Sequence, residues 1–238
     1  MAFAQQAVAH GAVEIDPDLP DVRLSDIRRD EEAEALKGMS VSRRMALSYR
    51  DMRTTTRALI EENPGEARLL FFVLLSDVIF FLSRGLSLVI SPASAAAERM
   101  PLEVGLWLVI ALFLRTAVLY GFSAFVGACC RIVGGTGSWR DTRAAVFWAS
   151  LVAAPIGVLG SLIAAGFAHL ERVWPVFGSD AFALPALSIG IVVFVFFLSA
   201  AVAEAQRFRK TAPVFMAFSL LTVLLAVGAI FVHARYLS

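Results

Sequence analysis

Five stretches of about twenty apolar residues decide most of what this chain can become: Leu69–Ser91, Gly105–Cys130, Ala144–Ala168, Ala183–Ala203 and Val214–Val232. Each is long enough to cross a hydrocarbon core of about 30 Å as a helix, at about 1.5 Å per residue. A helix bonds its own backbone groups internally, so such segments need no water and no partner strand. The rest of the 238 residues agrees: 58% are hydrophobic and only 17% charged, against about half and a quarter in soluble domains. Of the 41 charged groups, 23 fall in residues 1–68. That split excludes a soluble enzyme, a nucleic-acid module and a disulfide-stapled secreted fold. The expected architecture is an all-α integral membrane protein. It has a disordered acidic tail (1–38), an amphipathic interfacial helix with its linker (39–68) and a five-helix transmembrane bundle (69–238).

Loop charges set a direction. Arg43, Arg44, Arg50, Arg53, Arg57 and Arg68 precede the first span, Arg131, Arg140 and Arg143 follow the second, and Arg207, Arg209 and Lys210 follow the fourth. The other loops carry only Arg99 and Arg172 as cations. Because basic loops stay on the cytoplasmic side, the N-terminus is expected inside and the C-terminus outside. Trp107 and Trp174 then fall at the outer interface, Trp139 and Trp148 at the inner one, as an aromatic belt. No secretory signal precedes this pattern.

The arm divides in two. Residues 1–38 carry nine acidic against four basic groups and few large apolar ones, which reads as a solvated tail or as a docking tail for a basic partner. Over 41–62, Val41, Met45, Tyr49, Met52, Leu59 and Ile60 share one helical face. Arg43, Arg44, Arg50, Arg53 and Arg57 take the opposite side, and Asn63-Pro64-Gly65 ends the helix. The favoured reading is a helix lying on anionic lipid. The alternative is packing on the end of the bundle.

Three charges sit inside apolar spans: Asp77, Arg84 and Arg115. Uncompensated, each costs at least about 2.5 kcal/mol. Asp77 lies about 12 Å from the inner boundary and Arg115 about 15 Å from the outer one, so a pair near the midplane is expected, with Arg84 snorkelling outward. Such a pair either fixes the register of two spans or lines a path for a proton or small solute. In the third span Ala145, Ala149, Ala153, Gly157, Ser161 and Ala165 recur every four residues, a stripe that lets helices approach closely, within the chain or between copies.

The loop before that span reads Gly134-Gly135-Thr136-Gly137-Ser138-Trp139. It lacks the Lys-Ser/Thr of a phosphate-binding loop and follows no strand. A tight turn with Ser138 or Asp141 capping the next helix suffices. This loop, with Trp148 and Pro155 inside the third span, resembles the Ypt-interacting-protein (Yip) domain family, through Gly134, Gly135, Gly137, Ser138, Trp139, Trp148 and Pro155. The resemblance covers about 69–235. It implies a non-enzymatic five-span protein of the bacterial type, placed in an inner membrane, although eukaryotic relatives act with small prenylated GTPases. The chain lacks the acidic Asp-Leu-Tyr-Gly-Pro stretch of the trafficking branch, so GTPase-binding residues are not carried over.

No catalytic, cofactor or metal site is expected. His10, His169 and His233 are far apart, the vicinal Cys129 and Cys130 have no further ligands, and no serine has a base beside it. Three functions remain: a scaffold or adaptor that engages membrane lipid, a protein partner or a second copy of itself through its arm and loops; a small transporter or channel using Asp77 and Arg115; or a subunit or assembly factor of a larger membrane complex. Nucleic acid is not an expected partner.

Overall fold

The computed structural model describes residues 33–90, 100–170, 174 and 180–236, with side chains for all of these except 83–90, 100–111, 168, 180–187, 233 and 236. Among the described residues every regular element is a helix: α1 (Val41–Ser48), α2 (Met52–Glu61), α3 (Glu66–Ile90), α4 (Met100–Ile132), α5 (Trp139–Leu170), α6 (Asp180–Ala205) and α7 (Ala212–Tyr236). Four of them contain segments long and apolar enough to cross a membrane: Leu112–Ile132, Trp139–Phe167, Ser188–Ala205 and Ala212–Val232. The count among the described residues is therefore four, not five. The expected first span coincides with α3, but the side chains of its second half, 83–90, lie outside the described residues.

α5 is the hub. It packs most extensively on α6, then on α3, and also meets α4 and α2, whereas α7 leans on α6. Every residue from Ala144 to Ala154 is buried, including Trp148, Phe147 and Leu151, so this half of α5 is covered all round. The small-residue stripe explains how neighbours fit so close. Ala145, Ala149, Ala153 and Ala165 are buried. A Cβ added at Gly190 of α6 would stand 2.9 Å from the Gly157 Cα. Of the two readings of the stripe, packing within the chain is the one the contacts display at Gly157. Ser161 turns its hydroxyl back to the Val158 carbonyl at 2.8 Å.

The amphipathic segment is not one helix on a lipid surface. It breaks at Tyr49–Asp51, because Asp51, in extended backbone, caps α2 by accepting the Thr54 N–H at 3.1 Å. Its apolar face then seats on one end of the bundle: Met52 and Leu59 are in the core, with Val41, Met45 and Ile60 against it. The arginines expected to face lipid divide. Arg44 is 1% exposed and Arg53 and Arg57 are bound to α6, leaving Arg43 and Arg50 at the surface. Burying the apolar face against protein brought the opposite, charged face within reach of acidic groups, which is why the lipid reading fails for those three.

The expected acidic tail falls, over 1–32, outside the described residues. Its last stretch is only partly solvated: 33–36 form one helical turn, and Ala33 and Leu36 bury against Ala58 while Glu34, Ala35, Lys37 and Gly38 stay exposed. α2 ends at Glu61, where Asn63 takes a positive φ of 50° and its N–H bonds the Ile60 carbonyl at 2.9 Å, ahead of Pro64 as expected.

Candidate functional site

Three polar constellations are built on this frame. Deepest is a cluster between α3, α4 and α5. Arg115 forms an ion pair with Asp77 and donates to Ser76 Oγ at 3.1 Å and Ser150 Oγ at 3.2 Å. Thr116 Oγ1 donates to Asp77 Oδ2 at 3.2 Å. The Phe80 ring covers the guanidinium, 4.3 Å from centroid to carbon. Asp77, Ser76 and Ser150 are all buried. Sequence reasoning paired Asp77 with Arg115 but missed Ser150 and Thr116, whose hydroxyls take one further guanidinium donor and supply one further donor to the carboxylate. The Arg84 side chain lies outside the described residues.

The second constellation joins the α1–α2 cap to the bundle. Glu204, near the end of α6, accepts from Arg53 Nε at 2.8 Å and from Arg57 Nε at 2.6 Å. Arg53 also donates to the carbonyls of Phe208 (2.9 Å) and Arg209 (3.3 Å). At the other flank Glu62 holds Arg44 through Nη1 at 3.1 Å and Arg68 at 2.7 Å, and Arg44 reaches the Leu36 carbonyl at 2.8 Å. Partial burial by itself would raise the Glu62 carboxyl, but the hydrogen bonds and charges of Arg44 and Arg68 outweigh it and hold it below the ordinary range. Trp148 is not an interfacial belt residue: it is fully buried, donates Nε1–H to Ser48 Oγ at 3.2 Å and meets Phe72 edge-on at 5.3 Å. Tyr49 donates to the Val152 carbonyl at 2.7 Å, one residue past the Leu151 carbonyl whose usual i+4 donor is lost at Pro155. Burial raises the Tyr49 phenol, so it stays a donor.

The third is the glycine loop, where each residue has its own reason. Gly134 sits at φ 89° just past α4. Its N–H bonds the Arg131 carbonyl at 3.2 Å and that of Gly135 the Cys130 carbonyl at 2.7 Å, the paired closing bonds of a Schellman helix end. A Cβ on Gly135 would stand 2.6 Å from Gln206 Oε1. One on Gly137 would collide with the Ala205 carbonyl oxygen. Ser138 and Asp141 cap α5 reciprocally, each side chain accepting the other's N–H at 3.1 Å, a capping box. Gln206 ties the loop to α6: it accepts from the Gly137 N–H at 3.2 Å and donates to Thr142 Oγ1 at 2.6 Å. Trp139 is half-exposed, lies under Arg131 at 4.4 Å and closes over Gly127.

A family model, the Yip1 domain, matches residues 48–232. The chain belongs to the Yip1 domain family. With its four apolar spanning-length helices it is a multi-pass membrane protein of that family. The Yip1 match begins at Ser48, so it takes in α2 as well as the loop and spans, further toward the N-terminus than the loop motif alone suggested. No curated protein and no solved structure gives a match to the chain. Among the described residues no three His, Cys, Asp or Glu side chains come together to hold a metal. Sequence reasoning missed Glu204, Glu62 and Gln206. The one available signal was an acidic residue closing an apolar run opposite a helix rich in arginine.

Proposed function

We propose that the protein is a non-enzymatic five-span scaffold or adaptor of an inner membrane, with α3 as its first span and the N-terminus in the cytoplasm. The observation that carries this reading is the platform at the capped end. Arg53 clasps the carbonyls of the α6–α7 turn, Arg140 those of Asn63 and Pro64, and Gln206 the glycine loop. Side chains there are committed to holding three loops in one fixed surface, as a docking face requires. Arg43, Arg50 and Arg207 remain exposed on its elements, and the excess of basic loops favours the cytoplasmic side.

The partner this surface suits is a protein with an acidic face, the sequence leaving its identity open. A photo-crosslinker at Arg43 or Arg50 should capture the same protein repeatedly in native membranes, and Arg43→Glu with Arg50→Glu should abolish capture. The Asp77–Arg115 cluster supports a second reading, a small transporter. A solute flux in liposomes that Asp77→Asn removes would establish that reading and overturn the first.

A further inference from the structure

Between α4 and α7, at the capped end, lies an apolar groove of about 670 Å³, a size typical of ligand sites of about 300–1,000 Å³. Its walls are regular. Phe125 and Cys129 project from α4, with Val133 one residue past its end, and Pro213, Ala217 and Leu221 project from one face of α7, spaced by four residues. The groove exists because α7 packs on α6 and leaves its other flank apart from α4. The α7 wall runs for about 12 Å along its helix, most of the ~15 Å depth of one leaflet's hydrocarbon.

Arg209 and Lys210 line the same groove from the α6–α7 turn. Both are exposed and neither forms a salt bridge among the described residues. By contrast Arg53, Arg57 and Arg143 are all engaged by carboxylates. The turn bearing the two free cations is held in place through its backbone, by Arg53 on the Phe208 and Arg209 carbonyls, and the positive end of the α7 dipole begins beside them at Ala212. An apolar slot most of a leaflet deep, topped by two unpaired cations on a backbone-anchored turn, is complementary to a single amphiphile: an apolar chain below and a negative headgroup above.

We propose that this groove binds one anionic phospholipid from the leaflet on the capped side, its acyl chain between α4 and α7 and its phosphate against Arg209 and Lys210. The inference needs the chain to be a membrane protein, and is independent of which partner the platform engages.

The test is native mass spectrometry of the full chain in mild detergent, titrated with phosphatidylglycerol or phosphatidylcholine of identical acyl chains. The wild type should retain one phosphatidylglycerol in preference to phosphatidylcholine, by between about fivefold and thirtyfold for one to two surface cations. Arg209→Gln with Lys210→Gln should remove that preference while leaving helicity and thermal unfolding unchanged, because only the backbone of the turn is used in the fold. Ala217→Trp should fill the slot and lower retention of both lipids. A double variant that keeps the preference overturns the proposal. So does a wild type that holds no lipid, or one whose groove is covered by a second copy, seen as a dimer mass without a lipid adduct.

Discussion

Asp77 and Glu204 are both carboxylates on apolar helices held by arginine, and their settings differ in every other respect. Asp77 has one guanidinium and the Thr116 hydroxyl, and that guanidinium has the Ser76 and Ser150 hydroxyls and the Phe80 ring beside it. Charge there balances one to one, as a low-dielectric site demands, since a leftover charge costs several kcal/mol. Glu204 sits at the end of α6 with two arginines that are each about one-fifth exposed. A net positive charge is tolerable there because Glu204 stands one residue before the end of α6, beside the polar α6–α7 turn, whereas Asp77 lies mid-helix in an apolar run. The deep pair ties span to span, whereas the shallow triad ties the cap to the bundle. The centre that must be neutral is brittle, and the one that may stay charged has redundancy.

The largest expected effect breaks the deep centre. Arg115→Met strands the Asp77 carboxylate and should cost about 3–5 kcal/mol, read as denaturant unfolding in micelles. Asp77→Leu together with Arg115→Met should recover most of that loss; a double variant as unstable as the single would erase the contrast between the centres. Next, Arg53→Met or Arg57→Met alone should cost about 1 kcal/mol, since Glu204 keeps one partner, while the pair together should cost about 2–3 kcal/mol. Limited proteolysis between α1 and α2 measures it, and equal losses from single and double variants would deny the redundancy. The smallest effect concerns Glu62. Its carboxyl is held below the ordinary range, so the stability it lends is complete above about pH 4.3 and fades as pH falls through its folded value. Amide exchange over residues 36–44 should be flat from pH 7 to about 4.5 after correction for intrinsic rates, then rise.

These contrasts also explain what could be read from the sequence. Asp77 and Arg115 stand out because a charge in an apolar run has few partners at its depth, so a helical rise was enough to match them. The same reasoning located the capping role of Ser138 and the stop at Asn63-Pro64. It misassigned Arg44, Arg53 and Arg57, because an amphipathic helix with arginines on its polar face has the same pattern on lipid as on a bundle end. The positions of Glu204, set by the packing of α5 against α6, and of Glu62, which folds back onto Arg44, separate the two. Trp148 was misplaced for a related reason: its number of residues from a boundary says nothing about the cap that later covers it. Ser150 and Gln206 carry no sequence signal beyond being small or polar at a helix position, and their roles arise from which helices touch.

The wrapped half of α5 has a consequence for how the chain is made. Gly157 leaves the ribosome before Gly190, the residue of α6 that it touches, and at about 5–20 residues per second the gap is roughly two to seven seconds. During that interval the flank of α5 that α6 will cover has only earlier elements such as α3 beside it. Arg53 and Arg57 of the arm have to wait longer still, because Glu204 emerges only at the close of α6. Birth order and closing order are thus reversed at this clasp: Arg53 and Arg57 precede the spans in the chain and meet their carboxylate only once α6 has been completed.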